Sequence, residues 1–285
     1  MKPPAPWGPC RGVLWRACAL LMAGSLLLLA SQAALAGPRQ DRRAFRAYFF
    51  LRFPGIPLGA YAYGVPARLR PPSTAPSYAA AWARGKHLWE RPFPNGRTYA
   101  DCFPGHGIGS AAGYPRFDAS TGTVQTLEMA LNACRIRNGA APYAHPGHGP
   151  LTDLDAYCKS LATGYPIHIA LPPGKAVRAF ARGEHFFWAR RGQGNFSCAA
   201  CHVQHAGQRL GGTVLDAALG QGAAFPRYQP ARHRWLTVAG QYRRCLRRAG
   251  AAPLPADSRA FRDLLFYQMY MNNGLPLAAP APPSP

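Results

Sequence analysis

Cys198-Ala199-Ala200-Cys201-His202 is a C-x-x-C-H motif, the spacing at which proteins attach haem covalently. The two thiols of such a motif add to the vinyl groups of the haem, and the adjacent histidine becomes an axial ligand of the iron. A redox-active C-x-x-C pair or half of a zinc site shares part of this pattern, but the sequence has no second C-x-x-C to complete a zinc site. The motif therefore predicts one covalently attached c-type haem, held by Cys198 and Cys201 with His202 as an iron ligand.

Residues 1–36 have the composition of a secretory signal peptide. Cationic residues precede an apolar run from Ala17 to Ala30, and Ala34-Leu35-Ala36 fits a cleavage site. The run is short for a membrane span and no other stretch could serve as one, so no span is expected once the leader is removed. The mature chain should begin near Gly37 in the periplasm, an oxidising compartment in which thioether attachment of haem takes place. Cys10 and Cys18 would be lost with the leader.

The chain is strongly basic, with 33 lysines and arginines against 11 aspartates and glutamates and a formal net charge of +22 at pH 7. Such a balance raises the question of nucleic-acid binding. An exported haem protein seldom meets nucleic acid, and the arginines are scattered without an aromatic stacking pattern, so we expect no nucleic-acid partner. A basic surface that recruits an acidic protein or a small anion is favoured instead.

The sequence from Tyr99 onward contains a tandem repeat. Tyr114-Pro115-Arg116-Phe117 resembles Phe225-Pro226-Arg227-Tyr228, which begins 111 residues later, and at the same offset Cys134 aligns with Cys245. Each copy ends in apolar residues at helical spacing, and strand signals are few. A repeat of this length that carries a haem motif is typical of a small all-α cytochrome domain.

The repeat predicts a mainly α fold with two tandem cytochrome c-like domains, of which the second binds the haem. The first would comprise an N-terminal arm and a haem-less domain over residues 37–177, and the second a haem-binding domain over 178–277. Residues 37 to about 78 are rich in arginine, proline and aromatic residues and are expected to form an extended arm or loop. Residues 278–285 are a Pro/Ala tail that is expected to be disordered.

The first copy lacks the haem motif of the second. In the aligned stretch Tyr99-Ala100-Asp101-Cys102-Phe103, a tyrosine replaces the first thiol and a phenylalanine replaces the histidine. Cys102 then occupies the position of a haem thiol, and Cys134 would line the same vacated pocket. In an oxidising compartment we expect these two cysteines to form a disulfide, with two unrelated free thiols as the alternative. Cys158 is expected to be a buried, inert thiol.

The iron ligand opposite His202 is not determined by the motif. Methionine would make an ordinary electron carrier, whereas Cys245 lies within Arg243-Arg244-Cys245-Leu246-Arg247-Arg248, where guanidinium groups are expected to stabilise a thiolate. The residues favour Cys245, and a solvated basic loop with an incidental thiol is the alternative. The candidates for this ligand are Met269, Met271, His185, His205, His233 and Cys245.

Taken together, the motifs resemble the SoxA family, the catalytic cytochromes of the periplasmic thiosulfate-oxidising system. The resemblance extends from about Tyr99 to Leu277. It rests on these stretches: Cys102-Phe-Pro104, Tyr114-Pro-Arg-Phe-Asp118, Leu131-Asn-Ala-Cys-Arg135, Asn195-Phe-Ser-Cys-Ala-Ala-Cys-His202, Phe225-Pro226, Tyr242-Arg-Arg-Cys245 and Asn273-Gly-Leu-Pro276.

The resemblance implies the one-haem form of the family, in which a disulfide takes the place of a missing haem, in agreement with the pairing of Cys102 and Cys134. It implies His202 and Cys245 as the axial ligands, with Cys245 also catalytic and able to exist as a persulfide. The implied activity is that of an L-cysteine S-thiosulfotransferase, which joins thiosulfate oxidatively to the carrier-arm cysteine of SoxYZ. The electrons would pass to the haem of a small partner cytochrome, SoxX.

The sequence departs from the family pattern at one position. The family has a substrate-binding arginine four residues before the reactive cysteine, and here that residue is Gln241. Arg243 matches a second arginine of the pattern and Arg244 is an addition, so both are expected to bind substrate, with Arg243 as the first choice. Two other functions stay open: a monohaem electron-transfer cytochrome with Met269 as ligand and no sulfur chemistry, or a basic docking subunit whose haem is structural.

Overall fold

The structure of the protein is a computed structural model, which describes residues 37–56, 76–144, 149–211 and 213–278. The predicted signal peptide over 1–36, and all of the predicted tail except residue 278, lie outside these ranges. Residues 1–45 and 46–285 form two compact units; the described part of the first is the beginning of one helix, and the second contains all other elements. In the described part of the chain, none of the helices combines the length and apolarity that crossing a bilayer requires.

The described residues fold mainly into α-helices, which confirms the predicted fold class at this level. The helices are α1 Pro38–Arg52, α2 Pro76–Glu90, α3 Leu127–Arg137, α4 Pro150–Ser160, α5 Lys175–Trp188, α6 Val238–Arg248 and α7 Arg259–Met271. Three short antiparallel hairpins accompany them: β1 Arg116–Asp118 with β2 Thr123–Gln125, β3 Arg209–Leu210 with β4 Thr213–Val214, and β5 Arg227–Gln229 with β6 Arg234–Leu236.

The extended arm expected from residue 37 is wrong for residues 38–52, which form α1. Pro38 occupies the first helical position, where the missing N–H costs no hydrogen bond, and the arginines and alanines that follow are good helix formers. In the second half of α1, Phe49 is fully buried, and the Tyr48 hydroxyl donates to the carbonyl of Val203 at 3.2 Å. Burial of this aromatic face stabilises a helix that the composition alone did not indicate.

The repeated sequence folds into repeated local structure. Each copy contains a cis X-Pro peptide, at Tyr114-Pro115 and Phe225-Pro226, followed directly by a hairpin, β1–β2 or β5–β6. Each hairpin leads into a helix of 11 residues, α3 or α6. Threonine caps both helices, because the Thr126 side chain accepts from the N–H of Met129 and the Thr237 side chain from that of Gly240.

Helix α2 packs on α4 as α5 packs on α7, through one glycine in each pair. A Cβ placed on Gly85 of α2 would lie 2.2 Å from the carbonyl oxygen of Asp153, and one placed on Gly183 of α5 would lie 2.0 Å from that of Asp263. Only glycine allows backbones to approach this closely. The arginine before each glycine pairs with the same buried aspartate, Arg84 with Asp153 at 2.8 Å and Arg182 with Asp263 at 2.7 Å.

Trp235, in the hairpin β5–β6, connects the two copies and anchors the start of α6. Trp235 packs against Tyr78 and Ala81 of α2 and against Ala156 of α4. Its indole N–H also donates to an Asp153 carboxylate oxygen at 2.9 Å. A buried indole needs such an acceptor, so this contact fixes the hairpin that immediately precedes α6.

Three cysteines lie in the first copy. Cys102 and Cys134 are joined by a disulfide with a Cα–Cα distance of 5.9 Å. The side-chain amide of Asn138 donates to the carbonyl of Cys134 at 2.8 Å and lies 3.3 Å from the sulfur of Cys102. Cys158 is free and completely buried, which confirms the expected buried thiol.

Candidate active site

The C-x-x-C-H motif lies in a short helical segment that follows the irregular chain after α5. The Ser197 hydroxyl accepts from the N–H of Ala200 at 2.9 Å, so a buried serine caps the start of this segment. The helix then widens into a π-turn over Ala200–Gln204. This local geometry directs the two thiols and the imidazole toward one cavity, whose lining includes Cys198, Cys201 and His202.

The cavity has a volume of about 970 Å³, near the upper end of the range for small-molecule and cofactor sites. Helix α6, the hairpin β3–β4 and the end of α5 contribute to its walls. The apolar part of the lining includes Phe186, Leu215, Phe225, Tyr228, Leu246 and Leu264. Such a large and largely apolar chamber beside two thiols fits a flat hydrophobic macrocycle.

His202 is oriented as an iron ligand requires. Its Nδ1 lies 2.7 Å from the backbone carbonyl of Asp216, so Nδ1 carries the proton and Nε2 keeps a lone pair. Burial lowers the pKa of His202, which favours the neutral imidazole that binds metal. The side-chain amide of Gln221 lies 3.1 Å from Nδ1 and 3.3 Å from Nε2 and restricts rotation of the ring.

The two thiols of the motif are free and partly accessible from the cavity. Burial raises the pKa of Cys198 to about 11, and Arg191 acts in the opposite direction. Burial also raises the pKa of Cys201, against the charge of Arg248. Two neutral thiols, a neutral imidazole and an apolar chamber are the donor set that covalent haem attachment needs, so the residues present fit the group.

Cys245 faces this cavity from α6. It shares one face of the helix with Gln241, Arg244 and Arg248, because these residues are spaced at i, i+3, i+4 and i+7. All four line the cavity. The amide of Gln241 donates to the Cys245 sulfur at 3.4 Å, so the residue at the position where the resemblance implies an arginine contacts the Cys245 thiol directly.

Of the six candidates for the second axial ligand, all of which lie in the described ranges, Cys245 is the one that lines the cavity. Met269 and Met271 are buried in α7, each 3 % exposed, and do not reach the cavity lining. His205 is exposed and contacts Gln208. His185 and His233 are also absent from the lining.

The arginines lower the pKa of Cys245 as expected, but the net shift of its pKa is upward. Burial of the thiol is the largest influence and raises its pKa, whereas the hydrogen bond from Gln241 and the charges of Arg248 and Arg244 lower it. The guanidinium groups act from the edge of the cavity, where water screens their charge. Their influence on the sulfur is therefore present but smaller than that of desolvation.

Of the two predicted substrate arginines, Arg244 lines the cavity beside Cys245 and Arg243 does not, whereas both line a neighbouring groove. Arg243 is exposed, because two residues along a helix turn a side chain to the opposite face from Cys245. The groove that it lines has a volume of about 600 Å³ and contains further arginines. Arg248 lines both the cavity and the groove. Sequence reasoning missed it, although its i+3 spacing from Cys245 was a usable signal.

Comparisons with known proteins show the family to which the chain belongs. Residues 84–167 match the family model described as SoxA/TsdA, cytochrome c domain. The L-cysteine S-thiosulfotransferase subunit SoxA of Chlorobaculum thiosulfatiphilum is 36 % identical over 251 residues, which cover 85 % of this chain and 86 % of that protein. The subunit of the same name from Allochromatium vinosum is 35 % identical over 270 residues, 92 % of this chain and 95 % of that protein.

Among solved structures, the crystal structure of SoxXA from P. pantotrophus is similar, with a TM-score of 0.63 and 25 % sequence identity. The match covers 71 % of this chain and 77 % of that chain. Such similarity over most of the chain confirms the predicted c-type haem and the enzyme class. The chain therefore belongs to the SoxA family of L-cysteine S-thiosulfotransferase subunits, the haem-containing cytochromes of thiosulfate oxidation.

Proposed function

We propose that this chain joins thiosulfate oxidatively to the carrier-arm cysteine of SoxYZ in the periplasm and passes the electrons to the haem of SoxX. In balanced form, a carrier thiol and a thiosulfate dianion give a carrier S-thiosulfonate, one proton and two electrons. The observation that carries the proposal is the joint lining of one cavity by Cys198, Cys201, His202 and Cys245. An ordinary electron carrier has no use for a third thiol in the cavity.

Each residue of the site has a distinct role in this proposal. Cys198 and Cys201 would attach the haem, and His202 and Cys245 would bind its iron. When bound, the haem supplies an acceptor for the electrons released by sulfur oxidation. Cys245 contributes the reacting sulfur, able to carry an additional sulfur as a persulfide. The hydrogen bond from Gln241 holds the Cys245 sulfur in place.

The substrate is a small dianion, so its binding site requires fixed cationic donors. Arg244 lines the cavity and is proposed to bind the sulfonate oxygens. Arg243 lies in the adjoining groove and would attract the anion or the carrier before it reaches the cavity. This division replaces the expectation that Arg243 is the principal substrate ligand.

The repeated elements support the proposal of two tandem cytochrome c-like domains, a haem-less one followed by a haem-binding one. The sequence-based boundary between residues 177 and 178 falls inside α5, which begins at Lys175. A boundary just before that helix, at residue 174, keeps α5 with the haem-binding domain. Residues 37–174 would then be the arm and haem-less domain, and 175–277 the haem-binding domain.

The partner and the compartment are also part of the proposal. The similar crystal structure is that of a SoxXA complex, which supports a heterodimer of this chain with a SoxX cytochrome. The leader-like composition of residues 1–36 and the disulfide between Cys102 and Cys134 support a periplasmic location. SoxYZ as the carrier and thiosulfate as the substrate are consistent with the activity named for the relatives.

The test is the variant Cys245→Ala in the purified, haem-loaded complex with SoxX, with Cys158→Ala as the matched control. Cys158 is free and fully buried in α4, so its loss removes a thiol without touching the site. Cys245→Ala is expected to lower thiosulfate conjugation to SoxYZ by about a thousandfold or more, and the control should remain active. Unchanged turnover in Cys245→Ala would instead favour a docking subunit whose haem is structural, and the ferric-haem absorption band of methionine ligation in the wild type would identify a simple electron-transfer cytochrome.

A further inference from the structure

We infer that Arg248 provides the anion-binding guanidinium that this chain lacks at position 241, and that thiosulfate is therefore held from the C-terminal side of Cys245. The inference rests on the proposed function and names a substrate-binding residue outside the family pattern. Its starting point is the replacement of an arginine by Gln241, a neutral side chain that donates to the Cys245 sulfur. A site for a dianion needs a compensating cation nearby.

Arg248 is placed on α6 so that it can compensate for this loss. Gln241 precedes Cys245 by four residues and Arg248 follows it by three, and both spacings correspond to about one helical turn on the same face. Both side chains line the cavity that contains Cys245. This chain thus has a guanidinium one turn after the Cys245 sulfur and a neutral amide one turn before it, both at the same cavity.

Arg248 also has unused hydrogen-bond donors. Within the described residues, neither Arg248 nor Arg244 makes a hydrogen bond or an ion pair. Two other arginines of the cavity already have partners. Arg191 donates to the carbonyl of Phe186 and lies 3.8 Å from the centroid of its ring. Arg227 forms an ion pair with an acidic side chain at 3.0 Å. A guanidinium with all five N–H groups available can bind two oxygens of a sulfonate at once.

Arg248 lies close to the reacting sulfur on the same helix. It follows Cys245 by three residues, and its side chain lines the same cavity while remaining exposed. An anion bound by Arg248 would therefore lie beside the Cys245 sulfur, on the side of the cavity where Arg248 is exposed.

A basic residue at the end of α6 can also serve the helix or the haem. Arg247 and Arg248 both lie in the last turn, where cations stabilise the helix end, and a guanidinium at the cavity can pair with a carboxylate of the haem. Arg247 separates stabilisation of the helix end from anion binding, because it has the same charge in the same turn but does not line the cavity.

The experiment compares Arg248→Ala, Arg248→Lys and Arg247→Ala in the haem-loaded complex with SoxX. We would measure kcat and KM for thiosulfate, thiosulfate binding by isothermal titration calorimetry, and the reduction potential of the haem. Loss of a charge-assisted bidentate contact should weaken thiosulfate binding and raise KM roughly tenfold to hundredfold in Arg248→Ala. Arg248→Lys should recover part of this loss, and Arg247→Ala should stay within about twofold of wild type.

A fourth variant tests the compensation itself. In the double variant Gln241→Arg/Arg248→Ala, the charge returns to the position one turn before Cys245, and KM should approach the wild-type value. Equal weakening by Arg248→Ala and Arg247→Ala would overturn the inference in favour of a general basic surface. A changed reduction potential with unchanged thiosulfate binding would overturn it in favour of pairing with the haem carboxylate. The wild type could also bind thiosulfate without conjugating it, while Arg248→Ala selectively loses this binding. That result would support the inference and contradict only the proposed function.

Discussion

Removal of the disulfide should destabilise the first copy measurably. Cys102 and Cys134 are 32 residues apart in sequence. Constraining a loop of this length in the unfolded chain contributes about 3.7 kcal/mol in the chain-entropy description. For a domain of this size, each kcal/mol corresponds to roughly 2–4 °C in Tm, so the double variant Cys102→Ala/Cys134→Ala should melt about 7–15 °C below wild type. Alanine is chosen because Cys134 is fully buried and serine would bury an additional hydroxyl.

Thermal unfolding followed by far-UV circular dichroism would measure this effect, with and without a thiol reductant. Reductant should lower the wild-type Tm to that of the double variant and leave the variant unchanged, because thioether bonds to haem are not reduced. Haem absorption should be the same in both proteins, since neither cysteine lines the cavity that contains Cys198 and Cys201. A double variant that melts within about 2 °C of wild type would refute the reasoning.

Two further predictions concern the helix pairs. Gly183→Ala would place a Cβ 2.0 Å from the Asp263 carbonyl oxygen, so α5 must move away. We expect the free energy of unfolding, measured with denaturant, to fall by roughly 2–4 kcal/mol. The control Gly113→Ala, whose nearest contact is at 4.0 Å, should be nearly neutral. In α4, Asp155 and Lys159 form a buried ion pair at 2.9 Å. Lys159→Met alone should cost about 3–5 kcal/mol, and the double variant Asp155→Leu/Lys159→Met, with the residue types found at the equivalent positions of α7, should recover most of it. Equal stability of the single and double variants would show that the carboxylate is not the source of the cost.

The sequence predicted those features of the fold that depend on exact repetition. The alignment of Tyr114-Pro115 with Phe225-Pro226 anticipated the second occurrence of the same local structure, and the threonine-capped helices α3 and α6 follow at the same offset. The glycines at the helix crossings were missed because Gly85 and Gly183 are 98 residues apart; the longer segment after the haem motif in the second copy takes them out of the 111-residue register. The hairpins were also missed, because three-residue strands give too short an alternation to detect.

At the site, the C-x-x-C-H motif and the basic stretch around Cys245 were visible in the sequence, but their net electrostatic effect was not. Counting arginines predicted a stabilised thiolate, whereas the structure shows that burial of Cys245 has the larger effect. Burial depends on side chains distant in sequence, such as Leu264 of α7 in the same cavity wall. Helical spacing, in contrast, can be read from the sequence. It places Arg244 and Arg248, but not Arg243, on the helix face of Cys245.

The residues that replace the haem motif in the first copy indicate how a domain can keep its fold without the cofactor. Tyr99, at the position of the first thiol, is 1 % exposed and stacks on Trp89 with a centroid distance of 5.7 Å. Phe103, at the position of the histidine, is 7 % exposed and also contacts Trp89, at 5.6 Å. Buried aromatic rings contribute large apolar areas, so under the proposed assignment of a haem-less first copy these side chains would fill the space of a macrocycle. The Tyr99 hydroxyl accepts from Arg135 at 3.3 Å, which satisfies the one polar group in this replacement.

Under the proposed domain assignment, the two copies therefore satisfy the same packing requirement by different means. In the second copy, haem attachment by Cys198 and Cys201 would supply both the cross-link, through two thioethers, and the filling of the cavity. In the first, the disulfide from Cys102 supplies the cross-link and the aromatic rings supply the filling. This substitution leaves the first copy without redox chemistry but gives it a stability that does not depend on haem, and it leaves Cys245 as the one reactive sulfur that we assign to the reaction.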